Sequence, residues 1–183
     1  MSAAPDHIEP LVAWRAWLVT DDDQGIRLRS VVFPTAWSPG SELEAECEQR
    51  SRQLLRPWRR REGHPAPSST CGCGIYGTSE TGTLAEYLRR LPLVGRDDEF
   101  VIGQAIGRVK LWGSVVEHTL GWRASRAYPA DLFVPASPHA YRIGVGLEVY
   151  DVPVEVLDTS ARGSLLDALA KVGTRPLKRR LAQ

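Results

Sequence analysis

The sequence has little cysteine and no long apolar run. Its 183 residues include three cysteines, so a disulfide-rich scaffold is not expected. No apolar run reaches the roughly 18 residues that a membrane-spanning helix needs. The N-terminus also lacks the basic region and apolar stretch that are typical of a secretory signal. We therefore expect a cytoplasmic protein with no membrane partner, in which thiols stay reduced.

Lysine is also scarce, because only Lys110, Lys171 and Lys178 accompany the arginines. The formal net charge is +1, so no overall field attracts nucleic acid or membrane. Hydrophobic residues make up 43% of the chain, which is enough to bury a core without disulfides. These values predict a single domain over residues 1–183, with frayed ends at 1–10 and 174–183.

Recognisable catalytic motifs are missing from the chain. It has no P-loop, no dinucleotide-binding G-x-G-x-x-G after a predicted strand, and no G-x-S-x-G nucleophile turn. Whether the protein is an enzyme is therefore left open by its motifs.

The spacing of apolar residues predicts a mixture of strands and helices. Residues 12–19 and 26–33 suit a hairpin around the turn Asp21–Gly25, with Ile26 and Leu28 facing inward. Ser41 and Glu44 form a capping-box pattern, which predicts a helix that includes Cys47 and ends before Pro57. Further predicted elements are a helix over 84–91, strands over 100–116 and 122–128, a helix over 140–150, a strand over 152–157 and a helix over 164–172.

Glycine adds detail to the predicted sheet. Gly103, Gly107 and Gly113 interrupt the strongest β region and indicate bulges or bends. The predicted fold is therefore α+β: a curved antiparallel sheet or partial barrel with three to four helices. The cysteine and histidine residues at 47, 64, 71 and 73 add a zinc-clamped loop, because thiolate and imidazole groups are common zinc ligands.

Three cysteines and one histidine form the clearest functional pattern. The spacing is Cys47-x16-His64-x6-Cys71-Gly72-Cys73. Three thiolates and one imidazole are a common tetrahedral zinc set. Glycine beside two ligands that are one residue apart permits the tight turn that they need. We therefore predict a zinc site at these four residues.

Other interpretations of this pattern remain open. An iron–sulfur cluster also uses thiolates with occasional histidine. Cys47 is alternatively a small core residue, with Cys71 and Cys73 as metal-free loop thiols. If Cys47 is not a ligand, the other three leave an open position for catalysis, with Glu48 or Glu62 as the acid or base. A closed set of four ligands indicates a structural site instead.

Several short motifs occur along the chain between about Trp14 and Leu132. They are Ala45-Glu46-Cys47, His64-Pro65-Ala66-Pro67, Cys71-Gly72-Cys73-Gly74-Ile75-Tyr76, Gly107-x-Val109-x-Leu111-Trp112-Gly113-x-Val115, and Gly121-Trp122-Arg123-Ala124. In these motifs the chain resembles a family of small, uncharacterised bacterial and phage proteins. The family has no known activity, so the resemblance implies one folded module and no function.

A polar and aromatic cluster surrounds the predicted turn after residue 116. One interpretation is a pocket that grips an anion through Arg123 or Arg126; the other is a solvated hairpin with arginine stacked on Trp122. Alternation along the strand places Glu117 and His118 on opposite faces, so they are not expected to form an acid–base pair. The cluster comprises Glu117, His118, Trp122, Arg123, Arg126 and Tyr128.

An arginine-rich segment follows the first predicted helix. Arginines around an aromatic side chain suit a phosphate backbone with a base stacked on the ring. The alternative is a solvated helix end whose basic residues complement the helix dipole. The candidate residues are Arg56, Trp58, Arg59, Arg60 and Arg61.

Three hypotheses about function follow. The first is a zinc-stabilised binding or regulatory module for an unknown protein or small molecule. The second is a metal-dependent enzyme with an open Cys/His site. The third is a protein that binds nucleic acid through residues 50–61.

Overall fold

The structure is a computed structural model that describes residues 6–33, 35–47, 64–90, 100–157 and 165–174. These residues form one eight-stranded sheet with helices packed on it, which confirms the α+β class. The strands are β1 (Asp6–Asp22), β2 (Gly25–Ser30), β3 (Ala36–Trp37), β4 (Leu43–Glu44), β5 (Ile75–Thr78), β6 (Val101–His118), β7 (Gly121–Pro135) and β8 (Val154–Leu157). The helices are α1 (Thr81–Arg90), α2 (Ala140–Leu147), a 3-10 helix (Glu148–Tyr150) and α3 (Leu165–Gly173).

Three long antiparallel strands form the centre of the sheet. β6 pairs with β1 on one side and with β7 on the other. β5 pairs with β7 and, through the single pair Trp14–Thr78, with β1. The four strands therefore form a ring that this one pair closes, which is not a true barrel. β8 runs parallel to β7, so the sheet is mixed and the expectation of a purely antiparallel sheet is wrong.

Alternate residues of β1 supply two separate cores. Trp17 and Val19 point into a cluster that α2 covers through Ile143 and Leu147. The residues of β1 that alternate with these, including Trp14, belong to a second cluster with residues of α1 and α3. Since neighbouring residues on a strand face opposite sides, one strand serves both cores.

The first predicted hairpin is confirmed. β1 and β2 pair antiparallel up to Asp22 and Gly25, and the side chain of Leu28 is fully buried. Gly113 also forms the predicted irregularity, because its φ is +73° and the β6–β7 register shifts beside it. A Cβ at this position would lie 2.3 Å from Ser125 Oγ, so only glycine fits without movement.

The helix predicted from Ser41 is wrong over the residues described. Leu43 and Glu44 form β4, which pairs with Ala127 and Arg126 on β7. The edge of β7 offers backbone hydrogen bonds that the local capping pattern does not take into account. Cys47 is buried but lies outside regular structure, and residues 48–63 are outside the described part.

Other predicted elements exist with different bounds. α1 begins at Thr81, and β7 continues to Pro135, well beyond Tyr128. The helix predicted over 140–150 is an α-helix to Leu147 and a 3-10 turn thereafter. The helix expected over 164–172 is observed as α3.

The two chain ends behave differently from one another. β1 begins at Asp6, which pairs with Ser114 on β6. At the other end α3 stops at Gly173. Residues 1–5 and 175–183 lie outside the described part, and the frayed ends at 1–10 and 174–183 stay a prediction.

Candidate metal centre

The predicted ligands lie together in space. One donor atom from each of Cys47, His64, Cys71 and Cys73 lies within 4.8 Å of every other. Cys47 is buried, and the other three residues are half-buried. All three cysteines are free thiols. The four residues are thus close enough to hold one metal ion.

Two distances between donor atoms match those around a single tetrahedral ion. The Sγ atoms of Cys47 and Cys71 are 3.9 Å apart, and Cys47 Sγ lies 3.4 Å from His64 Nε2. Zinc–sulfur and zinc–nitrogen bonds at tetrahedral angles place such pairs about 3.8 and about 3.5 Å apart. The spacing is compatible with zinc without being specific for it.

Two short strands on one edge of β7 bring the ligands together. β4 pairs with residues 126–127 of β7, and β5 pairs with residues 121–124. The backbone amide of Ala45 donates to the carbonyl of Ser125, which holds the chain close to β7 just before Cys47. The loop that carries the remaining ligands leads directly into β5. The donor cluster therefore joins two segments that are distant in sequence and adjacent on the sheet edge.

Glycine and tyrosine shape the ligand loop. Gly74 has a φ of +118°, and a Cβ there would lie 3.0 Å from Pro67 and 3.1 Å from Arg123. The hydroxyl of Tyr76 donates to the carbonyl of Gly72 at 2.6 Å. This tyrosine ends the Cys71–Tyr76 motif, but the sequence gives no indication of its role in the loop.

Arg123 holds the backbone of the same loop through hydrogen bonds. Its Nη1 donates to the carbonyls of Cys71 and Cys73, the latter at 2.9 Å, and more weakly to that of Ser68 at 3.4 Å. The guanidinium also lies 5.7 Å from the ring centroid of Tyr76. Arg123 is 8% exposed. It therefore satisfies the carbonyls of the loop that carries Cys71 and Cys73.

The imidazole of His64 is oriented by a backbone carbonyl. Nδ1 lies 3.0 Å from the oxygen of Pro65, which is a hydrogen bond when Nδ1 carries the proton. In that tautomer the lone pair of Nε2 faces Cys47 Sγ. Metal-binding histidines usually donate their second N–H to a carbonyl or carboxylate. The same bond raises the pKa of His64 in the metal-free protein.

The thiols differ in acidity when no ion lies between them. Burial works to raise the pKa of Cys71, but hydrogen bonds from the Cys73 amide and from the neighbouring thiol and imidazole groups outweigh it and lower the pKa to about 7. Burial raises the pKa of Cys73 to about 11, and the nearby thiols add to the increase. The thiolate of Cys71 thus forms easily, and that of Cys73 is disfavoured unless a cation is present to neutralise the negative charge.

The side chains of the cluster predicted around the second hairpin have separate partners. Arg123 serves the ligand loop, and Arg126 lies 3.5 Å from Glu42 and 3.9 Å from Glu44. Tyr128 donates to the carbonyl of Tyr150 and accepts from the amide of Gly40. These side chains therefore have three separate sets of partners.

The remaining members of that cluster lie on the β6–β7 hairpin. Glu117 is exposed and pairs with Trp122 across the hairpin, and Trp122 packs against the first core. The ring of His118 makes an edge contact with Tyr76 at 5.9 Å. Burial, followed by the charge of Arg123, lowers the pKa of His118.

The arginine segment cannot be placed. Residues 56–61, which include Arg56, Trp58 and Arg59 to Arg61, lie outside the described residues, and so do Glu48 and Glu62. Nucleic-acid binding and an acid or base beside an open metal site therefore both stay predictions.

Comparison with known proteins gives no match. No family model, curated protein or solved structure matches the chain. The resemblance to uncharacterised bacterial and phage proteins therefore stays a prediction. Among the described residues, none of the helices has the length and apolar character needed to cross a membrane.

Proposed function

We propose that Cys47, His64, Cys71 and Cys73 bind one zinc ion in a closed structural site, and that the protein is a zinc-stabilised binding or regulatory module. The observation that carries the proposal is the convergence of four donor atoms within 4.8 Å. Three thiolates and an imidazole suit zinc better than the hard cations, which prefer oxygen.

The compactness of the cluster favours a single ion over an iron–sulfur cluster. A two-iron cluster distributes its ligands around two metal atoms and two bridging sulfides. This requires a wider separation between ligands on opposite irons than a single tetrahedral ion does. Donor atoms that are all mutually within 4.8 Å leave little room for it.

A structural role follows from the number of ligands. Catalytic zinc usually has three protein ligands and a water molecule in the fourth position. Here Cys47 lies 3.4 Å from His64 Nε2 and 3.9 Å from Cys71 Sγ, so it supplies the fourth ligand. The ion would clamp the chain after β4 to the loop before β5, along one edge of β7. The proposal that the site is catalytic has no comparable observation in its favour.

Zinc content and thermal unfolding of the purified protein test the proposal. We expect about one zinc per chain in the parent protein, almost none in Cys47→Ala, and a lower melting temperature after treatment with a chelator. Val115→Ala is the control, because Val115 is a buried core residue that lies outside the ligand set. It should lower the melting temperature and keep the zinc.

Two outcomes would reject the proposal. The first is a parent protein that contains no metal when it is purified under reducing conditions. The second is a Cys47→Ala variant that keeps its zinc and its fold, which would indicate an open site. If Cys47→Ala does not fold, chelation of the parent protein gives the same comparison.

A further inference from the structure

Two of the proposed ligands are placed to form a disulfide with each other. The Sγ atoms of Cys47 and Cys71 are 3.9 Å apart, and both thiols are free. A disulfide bond requires about 2.05 Å between the sulfurs. Small side-chain rotations at both residues can supply this change once no ion holds the sulfurs apart.

Of the three pairings that the cysteines allow, the ligand loop disfavours the one between Cys71 and Cys73. Cys71 and Cys73 are separated by Gly72 alone, and Arg123 holds the carbonyls of both cysteines. A bond between them would close a small ring inside this fixed turn, and such geometry stores strain. Cys47, by contrast, approaches from a separate segment that is anchored on β7 through Ala45.

Access to solvent gives the two cysteines different roles. Cys71 is half-buried and reachable from solvent, whereas Cys47 is 5% exposed. An oxidant therefore meets the loop thiolate first, and the buried thiolate is the neighbour that can react next. This arrangement of an accessible thiolate beside a resolving thiol is typical of redox-sensitive cysteines.

We propose that Cys71 is a modification site for hydroperoxides and that Cys47 then closes a disulfide with it, which releases the zinc ion. The proposal rests on the zinc site of the proposed function. In the first step the Cys71 sulfur attacks the hydroxyl oxygen of the peroxide and the O–O bond breaks. The released hydroxide or alkoxide takes a proton to become water or an alcohol. The product is a sulfenic acid.

In the second step the Cys47 thiolate attacks the sulfur of that sulfenic acid. The S–S bond forms, the S–O bond breaks, and hydroxide leaves and takes a proton to become water. Two thiolates lose two electrons in total, and the peroxide gains them. Zinc then retains only His64 and Cys73, which are too few to hold it tightly. The disulfide replaces the metal as the link between the two segments on β7.

Titration of the zinc-loaded full chain with hydrogen peroxide tests this proposal. Zinc release is followed with a chromogenic chelator, and disulfides are mapped by mass spectrometry of an unreduced digest. We expect about one zinc released per disulfide, a cross-linked peptide pair that contains Cys47 and Cys71, and rebinding of zinc after reduction.

Matched serine variants separate the pairings. Cys73→Ser retains the proposed pair and should still form the Cys47–Cys71 disulfide. Cys47→Ser lacks the thiol that closes the disulfide, so Cys71 should be over-oxidised in this variant. Zinc content is measured before oxidant is added, so failure of the metal site is detected separately. A disulfide between Cys71 and Cys73, a bridge between chains, or zinc loss with all three thiols still free would overturn the proposal.

Discussion

At the scale of single residues, Arg123 has the most informative position. The sequence offers it as a candidate anion ligand, but its Nη1 donates to the carbonyls of Cys71 and Cys73. Three thiolates around a zinc ion leave a net negative charge, which a nearby guanidinium stabilises. Arg123 therefore positions the loop that carries two of the proposed ligands.

Replacement of Arg123 by methionine should weaken zinc binding about 10- to 100-fold. The variant keeps much of the side-chain volume and loses the donors that hold the loop. Competition with a chelator of known affinity measures the effect. Arg126→Met is the control, since Arg126 is an exposed residue paired with Glu42 and Glu44 and should leave affinity unchanged. Equal zinc affinity in Arg123→Met and the parent protein would show that the ligand loop keeps its conformation without Arg123.

The lowered pKa of His118 predicts that the stability of the protein depends on pH. Burial, with a smaller effect of Arg123, lowers the pKa of His118 below its ordinary value of 6.5. The unfolded chain then binds more protons than the folded one, so this residue's contribution to stability is present above pH 6.5 and is lost as the pH falls through the folded pKa.

We therefore expect the parent protein to lose more stability than His118→Gln between pH 7.5 and pH 5.5, when both contain the same zinc. Urea denaturation at the two pH values measures the difference. His139→Gln, at an exposed histidine, should follow the parent protein. A parallel loss in the parent protein and His118→Gln would contradict this interpretation.

At the scale of elements, the edge of β7 organises the site. β5 and β4 follow each other along this edge, and each leads into or out of a segment that carries ligands. Gly77 lets β5 lie close to the centre of the sheet, because a Cβ there would be 2.5 Å from Ala13 Cβ and 3.1 Å from Leu111.

Gly77→Ala should therefore lower the free energy of unfolding by about 1 to 3 kcal/mol, since overpacking forces β5 to move. Gly82→Ala is a matched control in α1, where a Cβ would meet nothing within 4 Å. That variant should gain up to about 1 kcal/mol, because alanine favours a helix. Chemical denaturation of both variants gives the comparison, and equal stabilities would contradict the packing account.

Elements whose causes are local could be predicted from the sequence. The β1–β2 hairpin follows from alternation around a turn, and α3 overlaps the helix predicted over 164–172. The helix at Ser41 was predicted wrongly, because the pairing of Leu43 with Ala127 depends on a strand far away in sequence. The proximity of the four donor residues could be predicted from residue types and spacing, whereas the contacts of Arg123 with the loop required the β5–β7 pairing to be known.

At the scale of the whole molecule, the described fold is a sheet with a core on each face and a ring that closes through one strand pair. That closure depends on β5, which has four residues and follows the ligand loop. A metal ion that fixes the loop therefore stabilises the part of the ring with the fewest backbone contacts. We expect hydrogen exchange in β5 to rise when zinc is removed, while β6 stays protected.

X-ray absorption at the zinc edge of the purified, reduced protein tests the central claim most directly. The account predicts a first shell of three sulfur atoms at about 2.3 Å and one nitrogen at about 2.0 Å. A shell of nitrogen and oxygen atoms alone, or the absence of zinc from the protein, would contradict it.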